Sequence, residues 1–281
     1  MAHIWQDLTR REIAALRDAG ALVVVPTGAI EQHGDHLAVD TDTRLAETVT
    51  RLAAEQAGDT SVIVAPAVSF GFSPHHLAWP GTISLRLETY LAVLRDVAHS
   101  ILDAGFPRML FVNGHGGNEA PLRALVGQLV TDGHAVGMVN YFSPSQAEWI
   151  ALLQGQLPRA GHACEQETAL SLALPQTPEP ERARICSAIA DLAPRLVQPW
   201  MADGATEDPI TGAGAGWPPI FQEGEWSYYG DPAAATQATG EAILSVTTAR
   251  LGAFFAEFSR ANLRSGSQRG RAPQCGVTAA D

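Results

Sequence analysis

Four short stretches of the chain concentrate the side chains that ligate metals or move protons. The first is Thr27-Gly-Ala-Ile-Glu31-Gln-His33-Gly-Asp35-His36, continued by Asp40-Thr-Asp42. Glu31 and His33 stand two apart, so in an extended segment both side chains face the same way, and a turn at Gly34 can return Asp42 toward them. Carboxylate, imidazole and carboxylate together suit Zn²⁺, Mn²⁺ or Fe²⁺. The competing and less favoured reading is a polar loop with solvated histidines and Asp42 capping a helix. The second stretch, Asn113-Gly114-His115-Gly116-Gly117-Asn118, surrounds a histidine with glycines that let the backbone turn tightly and approach a ligand. An ordinary turn before a helix has the same composition, but two strand ends carrying the same class of ligand favour a shared metal site.

The third stretch is His162-Ala-Cys164-Glu165-Gln-Glu167-Thr168. Glu167 falls in the first turns of an expected helix, where the dipole favours a carboxylate. One of Glu165 and Glu167 would add a metal ligand and His162 an acid/base, unless both acids are caps or surface groups. Cys164 could ligate a metal or act as a nucleophile, yet its acidic neighbours disfavour the thiolate, so its role is read as structural. The fourth stretch, Ser73-Pro-His75-His76-Leu-Ala-Trp79-Pro-Gly-Thr82, could line a pocket or support a metal. Adjacent histidines in a strand-like segment point to opposite sides, so at most one of the pair is expected to face a site. No role is assigned to His3, His99 or His134.

These stretches need elements to hold them, and each of the first, second and fourth follows an apolar run. Residues 9–19 have helical spacing with Gly20 as C-cap, and 21–26 (ALVVVP) reads as a buried strand. A helix is expected from Asp42 or Thr43 to Gln56, a strand over 61–66, a helix over 87–105, a strand over 108–112, a helix over 120–133 and a strand over 135–142. Short apolar strands alternating with helices indicate α/β, doubly wound, with a mostly parallel sheet covered on both faces. Such sheets bind ligands at the carboxyl ends of their strands. Signals weaken over 175–185. Residues 203–234, dense in Gly, Pro and aromatics such as Trp217, Phe221, Trp226, Tyr228 and Tyr229, read as a long ordered loop over the site. A final helix is expected over about 232–262. One domain is expected over 1–264, with 265–281 a disordered tail.

The 281 residues carry 46% hydrophobic side chains, enough for a sizeable core, and 30 acidic against 18 basic residues for a net charge of −12. Every basic residue is arginine. This field repels phosphate backbones and anionic lipid, so no nucleic-acid or membrane partner is expected. Three cysteines at irregular spacing, with no apolar leader or membrane-length run, point to the cytoplasm.

Glu31-Gln-His33-Gly-x-His36-Leu, Thr41-Asp42, Pro80-Gly-Thr82, Asn113-Gly-His115-Gly-Gly-Asn118, the His162-to-Glu167-Thr segment and Gly230-Asp-Pro232 with Thr236 and Gly240 stand in the order and spacing of the creatininase (creatinine amidohydrolase) family. The chain resembles that family over about residues 8–255, in its NGHGGN-type branch. The resemblance implies a three-layer α/β/α fold, homo-oligomers that are often hexameric, and two divalent metal ions that hydrolyse C–N bonds of cyclic amides or formamides. It further implies that Glu31 and His115 bind one metal, His33 the other, that Asp42 bridges both, and that His162 is the acid/base or substrate-contacting histidine. His76, Trp79, Gly116 and Gly117 would contact substrate. In members that open creatinine, a glutamate ligating the second metal stands where this chain has Gly117, so either Glu167 is expected to supply that ligand or the second site is weak or vacant, and the departure counts against creatinine as substrate.

The expected mechanism is attack on an amide carbonyl by a metal-bridging hydroxide, with His162 near physiological pH protonating the leaving nitrogen. Two other readings compete: a metal-binding but non-hydrolytic accessory protein of a biosynthetic pathway, and a cysteine-nucleophile hydrolase built on Cys164 and His162.

Overall fold

A computed structural model describes residues 2–158, 161–195 and 227–263. Five strands, β1 (Ala2–Ile4), β2 (Leu22–Thr27), β3 (Val62–Val64), β4 (Met109–Asn113) and β5 (Val136–Asn140), form one sheet in the order β1-β3-β2-β4-β5. Every pairing is parallel, and central β2 sets Val24 beside Val64 on one side and Leu110 on the other. β2 is buried at all its positions, and a run of valines without alternation suits a strand covered on both faces.

Eight α-helices accompany the sheet among the described residues: α1 (Arg10–Asp18), α2 (Thr41–Glu55), α3 (Leu87–Asp103), α4 (Glu119–Thr131), α5 (Gln146–Ile150), α6 (Glu165–Ala173), α7 (Glu179–Ile189) and α8 (Gln237–Arg260). Successive strand residues serve opposite faces. Leu22, Val24, Leu110 and Val112 pack with Leu45 and Val49 of α2, Leu170 of α6 and Leu251 of α8. Val23, Val25, Met109 and Phe111 pack with Tyr90 and Leu94 of α3 and Leu122 of α4. The result is the three-layer α/β/α arrangement. Because neighbouring strands β2 and β4 send their helices to opposite faces, the chain diverges at their carboxyl ends and leaves a crevice there.

Several boundaries differ from the sequence reading. β5 stops at Asn140, because Tyr141 and Phe142 leave the sheet for a short 3₁₀ turn and the Phe142 carbonyl accepts from the Trp149 indole N–H (2.9 Å). The last helix begins at Gln237: Pro232–Ala234 is a separate 3₁₀ turn, and the Thr236 hydroxyl caps α8 by accepting from Thr239 N–H (3.0 Å). The weakly patterned stretch after 175 holds α7, entered after Pro178 with Pro180 in its first turn and burying Ile185 and Ile189 four residues apart. β1, three residues at the sheet edge, has no pattern long enough to read. The expected loop over 203–226, with Trp217, Phe221 and Trp226, and the tail over 265–281 lie outside the described residues. Among the described residues no helix is long and apolar enough to cross a membrane.

The crossing of α8 over α6 depends on Gly240, where an added Cβ would collide with the Ala169 carbonyl oxygen. Gly240→Ala is expected to destabilise the fold by about 1–3 kcal/mol despite the better helix propensity of alanine. Gly127→Ala in α4 points into open space and should instead stabilise by about 0.5–1 kcal/mol. Urea unfolding midpoints read both; a more stable Gly240→Ala protein would contradict the tight helix crossing.

Candidate metal centre

The crevice gathers side chains from five segments. Glu31 and His33 come from the loop after β2, Asp42 from the first turn of α2, His115 from the loop after β4, and His75 and His76 from the loop after β3. His162 and Glu167 arrive from the start of α6. Hydrogen bonds between the strand ends fix these loops. The Asn113 side-chain N–H donates to the His115 carbonyl (2.7 Å) and to Asn140 Oδ1 (2.9 Å), while its Oδ1 accepts from His115 N–H (3.2 Å). Asn118 donates to the Gly28 carbonyl (2.9 Å) and accepts from Phe72 N–H (2.9 Å), tying all three strand-end loops together. Gly114 lets α2 close over the site, since a Cβ there would lie 2.8 Å from both Ala46 Cβ and the Asp42 carbonyl.

Two imidazoles define the electrostatics. His33 Nδ1 donates to the Glu31 carbonyl (3.2 Å), so its Nε2 faces Asp42 Oδ1 at 3.2 Å and Glu167 Oε1 at 4.0 Å. His115 Nε2 bonds Ser73 Oγ (3.1 Å) and the Phe72 carbonyl (3.2 Å), so its Nδ1 faces Asp42 Oδ2 at 3.0 Å and Glu31 Oε2 at 3.3 Å. The two Asp42 oxygens thus address different histidines. Glu31 Oε2, Asp42 Oδ2 and His33 Nε2 are fully buried and meet only the opposing groups of these ion pairs.

Nitrogen lone pairs set against carboxylate oxygens in a buried site require positive charge between them. Protons can answer part of that demand. Burial opposes the charge on His33, yet the Asp42 carboxylate, with Glu167 and Glu31, pushes its pKa up to about 10. Burial likewise opposes, and Glu31 and Asp42 outweigh, in raising His115 well above its ordinary value. Asp42 is held far below the usual carboxylate range, burial being overcome by the His33 and His115 charges. Glu167 is pushed up to about 7 by burial, with Asp42 and Glu31 adding to the rise. The donor set fits divalent cations: the ligand atoms of Glu31, His33 and Asp42 lie within 4.8 Å of one another, as do those of Glu31, His75 and His115, and of Glu31, His76 and His162.

His162 occupies the far side of the cluster. Its backbone pairs with Tyr229 in an antiparallel bridge (3.0 and 2.9 Å). Its Nε2 lies 2.8 Å from the Gln32 carbonyl, and its Nδ1 3.6 Å from Glu31 Oε1. The ring does not titrate near physiological pH as expected. Burial, reinforced by the His33 charge, lowers its pKa well below the ordinary value and keeps it neutral. The following residue, Ala163, has φ +49°, the one positive φ outside glycine among the described residues, and its carbonyl accepts from His36 Nε2 (3.1 Å).

The remaining residues sort by placement. Glu165 accepts from the backbone N–H groups of Gln154 (2.6 Å) and Gly155 (2.9 Å), which leaves Glu167 as the acid turned toward His33. His75 and His76 do not diverge: Pro74–His76 is a 3₁₀ turn rather than a strand, so both rings are buried, their centroids 4.4 Å apart. His76 lies inside the cluster, its Nε2 3.3 Å from Glu31 Oε1. Trp79 is half-buried and its backbone N–H donates to the His76 carbonyl (3.0 Å). Gly116 is exposed, and a Cβ at Gly117 would strike His115 Nε2 and the Phe72 carbonyl. Burial, with Glu167 next to it, pushes the Cys164 thiol up to about 12, which counts against a cysteine nucleophile. The sequence reading missed Gln32, whose side-chain nitrogen lies 2.9 Å from His76 Nδ1 and 3.0 Å from His162 Nε2. Alternation would have turned it away from Glu31 and His33, and nothing in its type signals the contact.

Known structures share the architecture. A solved structure described as "Creatininase Mn" superposes with a TM-score of 0.70 at 23% identity, covering 92% of this chain and 98% of that one. The creatininase family profile, described as creatinine amidohydrolase, matches residues 6–255. The chain belongs to the creatininase family and is an amidohydrolase of that family. It is 32% identical over 227 residues to the mycofactocin precursor peptide peptidase of Mycolicibacterium smegmatis, covering 80% of each chain. It is also 30% identical over 115 residues to the creatinine amidohydrolase of Pseudomonas putida, covering 39% of this chain and 43% of that one.

Asn118 joins the β2 and β3 loops from the β4 side, so Asn118→Ala should leave the Gly28 carbonyl and Phe72 N–H without these partners. A loss of about 1–3 kcal/mol is expected in thermal unfolding run with excess chelator, so that bound metal does not contribute. An unchanged midpoint would show that the loops are held by other means.

Proposed function

We propose that the chain is a binuclear, divalent-metal-dependent hydrolase of amide C–N bonds. The observation that carries this reading is the pair of histidines, His33 and His115, facing opposite oxygens of the buried Asp42. Glu31, His115 and one Asp42 oxygen would hold one ion, and His33, Glu167 and the other Asp42 oxygen the second. Divalent ions bound there would polarise the scissile carbonyl and lower the pKa of an attacking water.

The chain's own residues would do the rest. Backbone carbonyls accept from His33 Nδ1 and His115 Nε2, which orients both rings and leaves the opposite nitrogens for ligation. His162, neutral and donating through Nε2 to the Gln32 carbonyl, offers an unprotonated Nδ1 as the proton acceptor. It takes a proton from the attacking water and delivers it to the leaving nitrogen. The Asp42 carboxylate, in the first turn of α2, is favoured by the helix dipole and stays ionised throughout.

A peptide amide joins the cyclic amides and formamides as a candidate substrate, because one relative is described as a precursor peptide peptidase. The likeness to a precursor peptide peptidase spans 80% of the chain, and that to a creatinine amidohydrolase 39%. A peptide amide therefore stands ahead of a cyclic amide, lactam or formamide.

Chelation should abolish peptide cleavage, with Zn²⁺, Mn²⁺ or Fe²⁺ restoring it. His162→Ala should lower kcat by about 10²–10⁴ while metal content stays at the wild-type level. Asp42→Ala should lose both ions by elemental analysis. Full activity in the demetallated protein would refute the reading. A protein that holds metal yet cleaves no peptide, lactam or formamide would be the non-hydrolytic accessory instead.

A further inference from the structure

We propose that His75 is a metal ligand, completing a set with Glu31 and His115. The proposal rests on the metal-dependent reading above and adds a residue to it.

The case begins with space. A Cβ at Gly117 would come within 2.8 Å of His75 Cε1, besides striking His115 Nε2 and the Phe72 carbonyl. The His75 ring thus occupies the volume that a side chain from position 117 would enter. A side chain at 117 and a histidine packed here exclude one another, so the glycine is what lets the imidazole approach Glu31 and His115.

Position and orientation point the same way. The 3₁₀ turn brings His75 beside His76 instead of across from it. The His75 ring lies parallel to that of His115, 2° between planes and 5.6 Å between centroids. One ligand atom from each of Glu31, His75 and His115 falls within 4.8 Å of the others. His75 is 7% exposed, so the ring is turned inward and not into solvent.

The added ring has a chemical consequence. A neutral imidazole joined to Glu31 and His115 makes that side of the cluster richer in nitrogen without adding negative charge. Nitrogen-rich sites suit Zn²⁺, Fe²⁺ and Co²⁺, whereas oxygen-rich ones suit Mn²⁺ and Mg²⁺. This chain should therefore prefer Zn²⁺ or Co²⁺ over Mn²⁺ at the His75 side of the cluster.

The test uses the full-length protein loaded with Co²⁺, whose paramagnetism shifts the exchangeable N–H proton of each coordinated imidazole in the ¹H NMR spectrum. The wild type should show shifted signals for His33, His75 and His115, and His75→Gln should lose one. Chelator competition should then show one ion per chain bound at least about tenfold more weakly and the other unchanged. A His75→Gln protein that keeps every shifted signal overturns the proposal, because a merely structural role would move affinity without removing a coordinated ring. If neither His75→Gln nor His75→Ala folds, the wild-type count decides: signals for only His33 and His115 refute the ligand role. A wild type that binds no Co²⁺ defeats the metal-dependent reading itself, whereas intact binding with an unchanged signal set defeats only the role of His75.

Discussion

The structure turns on buried imidazole nitrogens facing buried carboxylate oxygens, a pairing that needs a proton or a cation between its members. His33 and His115 each commit one ring nitrogen to hydrogen bonds with neighbouring backbone or hydroxyl groups and present the other to Asp42. In a medium of low dielectric such an array is costly unless a cation is shared among its members. Protons answer the need in part, as the raised basicity of both rings shows. Divalent ions answer it more completely, because one ion neutralises several oxygens and accepts several nitrogen lone pairs at once.

The fold exists, in this view, to keep that array from relaxing. A buried carboxylate left to itself would rotate to solvent or take a proton. Here Asp42 is fixed in the first turn of α2, which is pressed against the β4 loop where Gly114 removes the obstructing Cβ. The loops after β2, β3 and β4 are laced to one another by Asn113 and Asn118. The parallel sheet supplies the crevice, since adjacent strands whose helices depart on opposite faces cannot close over their own carboxyl ends. Glu165 shows the same economy at the edge of the site: it is withdrawn from the cluster to bind two backbone N–H groups and hold the chain at Gln154 and Gly155.

Much of this was legible in the sequence, for identifiable reasons. β2, β3 and β4 are continuous apolar runs between loop signals, a pattern that parallel strands buried on both faces impose. The convergence of Glu31, His33, Asp42 and His115 followed from placing ligand-type residues at strand ends and from the family motif. What failed to show depended on local conformation or environment. Periodicity makes His75 and His76 diverge because it assumes a strand, whereas Pro74 opens a 3₁₀ turn. His162 was read as titrating near neutrality because its ordinary pKa was used, and burial beside a charged His33 reverses that. Gln32 and α7 carried no signal that composition or period could isolate, and β1 was too short to have a period.

Diffraction from crystals grown with Zn²⁺ and measured on both sides of the zinc absorption edge tests the central claim most directly. The account predicts two anomalous peaks flanking Asp42, one beside Oδ2 with Glu31 and His115, the other beside Oδ1 with His33 and Glu167. Zinc bound elsewhere on the chain, with no anomalous density among these residues, would contradict it.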